Sequence, residues 1–161
     1  MQTCRLIYRS IATDEFVSNE MLRDLENSAS QKNAGQGITG LLALAGNVFV
    51  QVLEGESAEV NALYHRIAAD SRHGDVQLLS FESAVTPLFG DWSMRLIDLF
   101  DLPGEQRVVM AEKYGDENGD IRVPEELPRV YALLLDAKHI CTNTPWLQSP
   151  QESPPAKAET C

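Results

Sequence analysis

The chain has 161 residues, 43% of them hydrophobic, enough for one globular domain with its own core and short for two. It carries 13 basic against 24 acidic residues, a net charge of −11, so its surface repels phosphate backbones and anionic membranes, and neither nucleic acid nor a membrane is an expected partner. No apolar run approaches the ~20 residues that cross a bilayer, the opening MQTCRLIYRS lacks the layout of a signal peptide, and Cys4, Cys141 and Cys161 have neither disulfide-framework nor zinc spacing. A reduced, cytoplasmic setting is expected.

Taken in chain order, CRLIYRS alternates Cys4, Leu6 and Tyr8 with Arg5, Ile7 and Arg9, which predicts a short strand with Tyr8 on its more apolar face. A helix is expected from about Ser18, a suitable N-cap, through Met21, Leu22, Leu25, Ser28 and Ala29. The glycines and Asn33 of SQKNAGQG then mark a loop. ITGLLALAGNVFVQVLEGE supplies two strands joined in a hairpin at Ala45-Gly46-Asn47. Ser57 is placed to cap a second helix with a buried stripe of Val60, Leu63, Tyr64 and Ile67, ended by Gly74. VQLLSFESAV reads as a strand, Pro87 interrupts, and WSMRLIDLF reads as another.

The order βαββαββ predicts an α+β, ferredoxin-like sheet with two helices on one face. EQRVVMAEKYG and PEELPRVYALLLDAKHI predict two more helices, the second apolar enough to cover the sheet's other face or a partner, with Pro124 in its first turn. TPWLQSPQESPPAKAETC holds four prolines and little apolar material besides Trp146 and Leu147, as expected of a flexible tail. The expected division is a domain over 1–100, a helical extension over 101–145 and a tail over 146–161.

Gln51 poses the chemical question. In a strand, Val48, Val50 and Val52 line one face and Phe49, Gln51 and Leu53 the other, and neither set is polar enough to face water. A buried carboxamide costs a few kcal/mol unless its donors and acceptor are met. In the expected sheet the first and third strands are parallel central neighbours about 4.8 Å apart, so Tyr8 and Gln51 fall side by side on the face that the two helices cover. A gap between those helices is then an apolar slot floored by a hydroxyl and an amide, with Asn33 entering from the loop and Arg66 and Asp70, spaced i, i+4, lining the second helix.

These residues resemble a known family, the BLUF domains, blue-light sensors using flavin. The resemblance spans about residues 3 to 100 and rests on LIY with Tyr8, Asn33 five residues before ITGLL, FVQVLEGE, YHRIAADSRH, and WSM at 92–94. The interval from Tyr8 to Asn33 is one residue longer than usual in the family, with the extra residue near Ala29, and Lys32 stands where members often carry a second Asn. The resemblance implies a non-enzymatic sensor with a flavin between the two helices, FAD before FMN or riboflavin. It implies that Tyr8 donates an electron and a proton to the excited flavin and hydrogen-bonds Gln51, which contacts the flavin in turn. Asn33 would bind the ring's polar edge, and Leu25 and Ile67 would sandwich the ring. Arg66 and Asp70, with His73 or Arg72 sharing the role, would serve the ribityl and phosphate side. Trp92 and Met94 would exchange near the flavin in the fifth strand and relay the signal to a partner protein. The fifth strand and the C-terminal helices are the expected surface for that partner or for a homodimer or larger homo-oligomer.

Singly, each of these residues has an ordinary structural reading: Tyr8 and Gln51 as core residues, Trp92 and Met94 as packing, Arg66 and Asp70 as an exposed ion pair. Together around one slot they favour the sensor. An acylphosphatase-like hydrolase on the same sheet would need a phosphate-cradling loop after the first strand, and SIATDEFVSN offers none. A light-insensitive adaptor is disfavoured because Tyr8 and Gln51 are both present.

Overall fold

The structure is a computed structural model that describes residues 2–13, 18–84 and 86–143, the side chain of Asn19 excepted. The expected tail lies outside the described residues. Nine elements follow in order: β1 (Thr3–Ala12), α1 (Asn19–Gln36), β2 (Thr39–Ala45), β3 (Val48–Glu56), α2 (Ser57–Ala68), β4 (His73–Ser83), β5 (Arg95–Asp98), α3 (Gly104–Tyr114) and α4 (Leu127–Asn143). The expected α+β, βαββαββ sheet with two further helices is the fold observed.

The five strands form one sheet in the order β4-β1-β3-β2-β5, with β1 and β3 central. These two run antiparallel, not parallel as expected from the sequence. The reason is topological: the α1 crossover brings β2 back in the direction of β1, and the tight hairpin then reverses β3. The neighbour relation survives, because the register pairs Tyr8 with Gln51. β5 pairs with β2 in parallel.

The alternation along β1 and β3 sends apolar residues to both faces. One cluster joins Ile7, Val50 and Val52 to Leu41 and Ile97 of the sheet and to Met110, Val130, Leu133, Leu134 and Ala137 of α3 and α4. The other joins Leu6, Tyr8, Phe49 and Leu53 to Leu22 and Val60 of α1 and α2. On the α3/α4 face Glu54 is buried at 3% exposure, where Arg5 Nε donates to its Oε1 across 2.6 Å and the Leu88 and Phe89 amides donate at 3.0 and 2.8 Å. A buried carboxylate is tolerable only with such partners. They pin the loop between β4 and β5 to the sheet.

Several local expectations are corrected. Asn33 lies in the last turns of α1, not in a loop: Gly35 is accommodated inside the helix, and Gly37 at φ +65° supplies the left-handed cap. Ser18 does cap α1, accepting from the Met21 amide at 3.2 Å. Ser57 is the first helical residue of α2, not its cap, and donates to the Gln2 carbonyl at 2.9 Å. That helix ends at Ala68, and Gly74 belongs to β4. In α4 it is Pro128, not Pro124, that occupies the first turn, where a missing N–H costs nothing. β5 is only four residues long, so Trp92 and Met94 precede it. Gly40 of ITGLL has a steric reason: a Cβ there would lie 2.1 Å from the Val52 carbonyl oxygen on the neighbouring strand.

Candidate functional site

A cavity of about 810 Å³ opens between α1 and α2 above the centre of the sheet. Its size is that of a small-molecule site, for which ~300–1,000 Å³ is usual. Tyr8 of β1, Leu42 of β2, and Phe49 and Gln51 of β3 form the floor; one wall is the α1 face carrying Leu22, Leu25, Ala29, Lys32 and Asn33, and the other is the α2 face carrying Leu63, Arg66 and Ile67. Asp70, Arg72 and His73 close one end and Met94 adjoins the floor.

Gln51 is 4% exposed, and its partners answer the question raised by its position. The Tyr8 hydroxyl donates to Gln51 Oε1, and Gln51 Nε2 donates to Met94 Sδ at 3.3 Å. A thioether is a weak acceptor, so a strong amide donor beside the cavity is poorly matched by the protein alone. That is a fitting place for a ligand with nitrogen or oxygen acceptors. Tyr8 is 3% exposed, and burial above all, with the nearby Tyr64 and Asp70 adding to it, pushes its phenol well above the usual range. The side chain therefore stays a neutral donor at any physiological pH. Its ring is flanked by Tyr64, 5.7 Å away between centroids, and edge-on by His73 at 6.2 Å.

Asn33, 2% exposed, donates from Nδ2 to the Ser93 carbonyl at 3.0 Å, while its backbone carbonyl accepts from the Ile38 amide. His73 Nε2 faces the Ile67 carbonyl at 2.5 Å, which can only accept. That nitrogen therefore carries the proton, and in the neutral ring Nδ1 accepts from the Ser10 hydroxyl at 2.7 Å. The ring thus ties the end of α2 to β1. The Arg66–Asp70 ion pair of the ordinary structural reading is not what the structure holds. Arg66 donates to Gln36 Oε1 at 3.2 Å across the two helices, and Asp70 takes a forked bond from Arg72, with Nη2 to Oδ2 at 2.6 Å. Two residues apart in a tight turn, Asp70 and Arg72 meet more readily than side chains a helical turn apart whose helix has already ended. That pairing lowers the Asp70 carboxyl to about 2.

Of the residues expected at the site, Tyr8, Leu25, Asn33, Gln51, Arg66, Ile67, Asp70, His73 and Met94 line the cavity together. Trp92 does not; it packs, half-buried, against the cluster on the α3/α4 side. Sequence reasoning passed over Leu22, Gln36 and Leu63 as lining residues, although spacings of three and four from Leu25, Asn33 and Ile67 would have found them; Lys32, singled out in the sequence, does line the cavity. It also passed over Glu26, which lines the cavity and accepts from the Leu96 amide at 3.0 Å.

Comparison with known proteins agrees with this geometry. Residues 3–95 match the family model described as BLUF, sensors of blue light using FAD. The blue light- and temperature-regulated antirepressor BluF of Escherichia coli is 36% identical over 95 residues, which are 58% of this chain and 23% of that protein. Photoactivated adenylate cyclase subunit alpha of Euglena gracilis is 32% identical over 95 residues, so this chain spans only 9% of that relative's length. Among solved structures, BlrB, a BLUF protein in its dark state, superposes with a TM-score of 0.69 at 25% identity, covering 88% of this chain and 97% of that one. The photo-activated state of BlsA gives a TM-score of 0.69 at 26% identity, covering 84% and 93%. The family model covers more than half of the chain, and the chain belongs to the BLUF family of blue-light sensors.

Proposed function

We propose that the bound flavin is FAD and that Tyr8 and Gln51 convert blue light into a change of hydrogen bonding, read out by a partner protein. The hydrogen-bonded chain from Tyr8 through Gln51 to Met94 is the observation that carries this reading. Leu25 and Ile67, on opposite walls, would sandwich the ring, and Asn33 would meet its polar edge. Lys32 and Arg66 put cationic groups on the two walls of the cavity, which suits a phosphate-bearing flavin over riboflavin. When bound, the flavin supplies blue-light absorption and, once excited, an acceptor for one electron and one proton.

The protein's part follows from its own groups. Tyr8 is the donor, and burial keeps its phenol protonated before excitation, so the proton is still in place to leave when the electron does or after it. Gln51 lies on the proton's path, since its Oε1 accepts from the Tyr8 hydroxyl. Rotation or tautomerisation of Gln51 exchanges what it offers to Tyr8 and to Met94 without any change in net charge. Such a change involves a few kcal/mol, so it reverts in the dark and can bias the segment that carries Met94.

The downstream partner is a protein in trans, and α3, α4 and β5 are the surface proposed for it or for a second copy of the chain. The sensor unit would occupy 1–100 and the helical extension 101–145. No described helix is long and apolar enough to cross a membrane, and the described cysteines, Cys4 and Cys141, are buried free thiols, as suits the cytoplasm. The test is the visible spectrum before and immediately after blue light. A flavin spectrum that shifts slightly to the red and recovers in darkness is expected; a flavin spectrum indifferent to light would overturn the proposal.

A further inference from the structure

Two side chains of α1 reach the backbone that carries Met94. Asn33 Nδ2 donates to the carbonyl of Ser93, the residue before Met94, and Glu26 Oε2 accepts from the amide of Leu96, two residues after it, both at 3.0 Å. The pair therefore straddles the residue whose sulfur accepts from Gln51, and both members also line the cavity. Leu96 belongs to β5, the edge of the sheet, where an amide that the ladder does not use needs another acceptor. A carboxylate is a strong one. On the other side of the same backbone, Arg95 lies against α4: burial raises the Cys141 thiol to about 11, Arg95 opposes that rise and Glu26 adds to it, so the three groups sit within electrostatic reach of one another. Beside the segment is a second cavity of about 290 Å³, lined by Glu26, Trp92, Met94 and Arg95 among others, which leaves room for a side chain to change places.

We propose that Glu26 is a positioning residue that holds Met94 against Gln51 through the Leu96 amide in the dark, and that the opening and remaking of this bond sets how fast the lit state reverts. The proposal rests on the reading of the cavity as a light-sensing flavin site. Once Gln51 turns its amide nitrogen away from Met94, the segment is restrained on this side by the bonds from Asn33 and Glu26. Release of the second lets the chain swing about Ser93. Return to the dark state then requires the carboxylate to recapture the Leu96 N–H.

The experiment uses the full chain loaded with flavin. Hydrogen exchange at the Leu96 amide is expected to be slow in the dark and at least about tenfold faster under continuous blue light. In Glu26→Ala, read on the fraction that loads with flavin, recovery is expected to be at least about threefold slower, because the dark arrangement has lost a bond. Glu26→Gln keeps an acceptor oxygen and is expected to recover close to the unsubstituted rate. Equal exchange at Leu96 in dark and light overturns the proposal, as does a Glu26→Ala recovery that is unchanged or faster, even where thermal stability falls. If Glu26→Ala does not load, the exchange measurement on the unsubstituted chain decides alone. An unsubstituted chain with no light-induced shift would instead overturn the flavin-sensor reading itself, and this proposal with it.

Discussion

Along β3, Val48, Val50 and Val52 face α3 and α4, while Phe49, Gln51 and Leu53 face α1 and α2, and the two sides of the sheet are filled differently. Against α3 and α4 the contact is continuous: Leu133, Leu134 and Ala137 are fully buried on Val50, Val52 and Leu41. Against α1 and α2 the helices are held apart, and Leu25, Leu63 and Ile67 stay half-buried around the cavity. The first side is complete within the protein. The second leaves Tyr8 and Gln51 at the bottom of a gap, so close packing and the cavity fall on opposite faces of one sheet.

The contrast is sharpest at Tyr8. Tyr8→Phe removes the donor to Gln51 Oε1 but keeps the ring, so flavin binding is expected to persist while the light-induced spectral shift disappears. Gln51→Leu should have the same outcome; a photocycle surviving in either variant, read by difference absorbance, breaks the assignment. On the opposite face, Leu134→Ala leaves a cavity in close packing and should cost about 2–5 kcal/mol in a denaturant titration. Leu25→Ala borders space that already exists and should cost about 1 kcal/mol without ligand, while weakening flavin retention measurably. Equal costs at Leu134 and Leu25 would mean that the two faces are packed alike. Flavin itself, at 100 times its dissociation constant, should raise stability by about 2.7 kcal/mol, with hydrogen-exchange protection gained chiefly on α1 and α2. Protection gained equally on α4 would show that the faces are not separable.

The smallest effect belongs to Asp70. Its folded carboxyl is lowered to about 2 by the hydrogen bonds and charge of Arg72, against ~3.9 in an unfolded chain. A lowered folded value means that the stabilisation is fully present above about pH 4 and is lost as pH falls through about 2. Because Arg72 is 60% exposed, screening holds the pair to roughly 0.2–1 kcal/mol. Asp70→Asn should therefore lose a few tenths of a kcal/mol at neutral pH and nothing below about pH 2; an undiminished gap at low pH would assign the loss to something other than this ion pair.

Period-2 alternation in FVQVLEGE and CRLIYRS was enough to place Tyr8 and Gln51 on one face, because a strand leaves its side chains only two directions. The helical stripe Val60, Leu63, Tyr64 and Ile67 was legible as one face for the same reason, although only Val60 is fully buried and the other three are half-buried, and the apolar fourth helix was legible too. Asn33 was misplaced into a loop because Gly35 and Gly37 look alike in sequence, although one lies inside α1 and the other ends it. Arg66 and Asp70 matched a helical pairing rule that α2, stopping at Ala68, is too short to apply.

Local periodicity and the order of elements thus determined the sheet, its two faces and the pair on its floor, since these follow from backbone geometry repeated over a few residues. The antiparallel sense of β1 and β3, the sulfur that Gln51 meets, the placing of Trp92 outside the larger cavity and the grip of Glu26 on Leu96 came with the assembled fold. Each of these depends on where a crossover, a loop or a helix of 18 residues delivers a group across space, and no spacing along the chain encodes that distance.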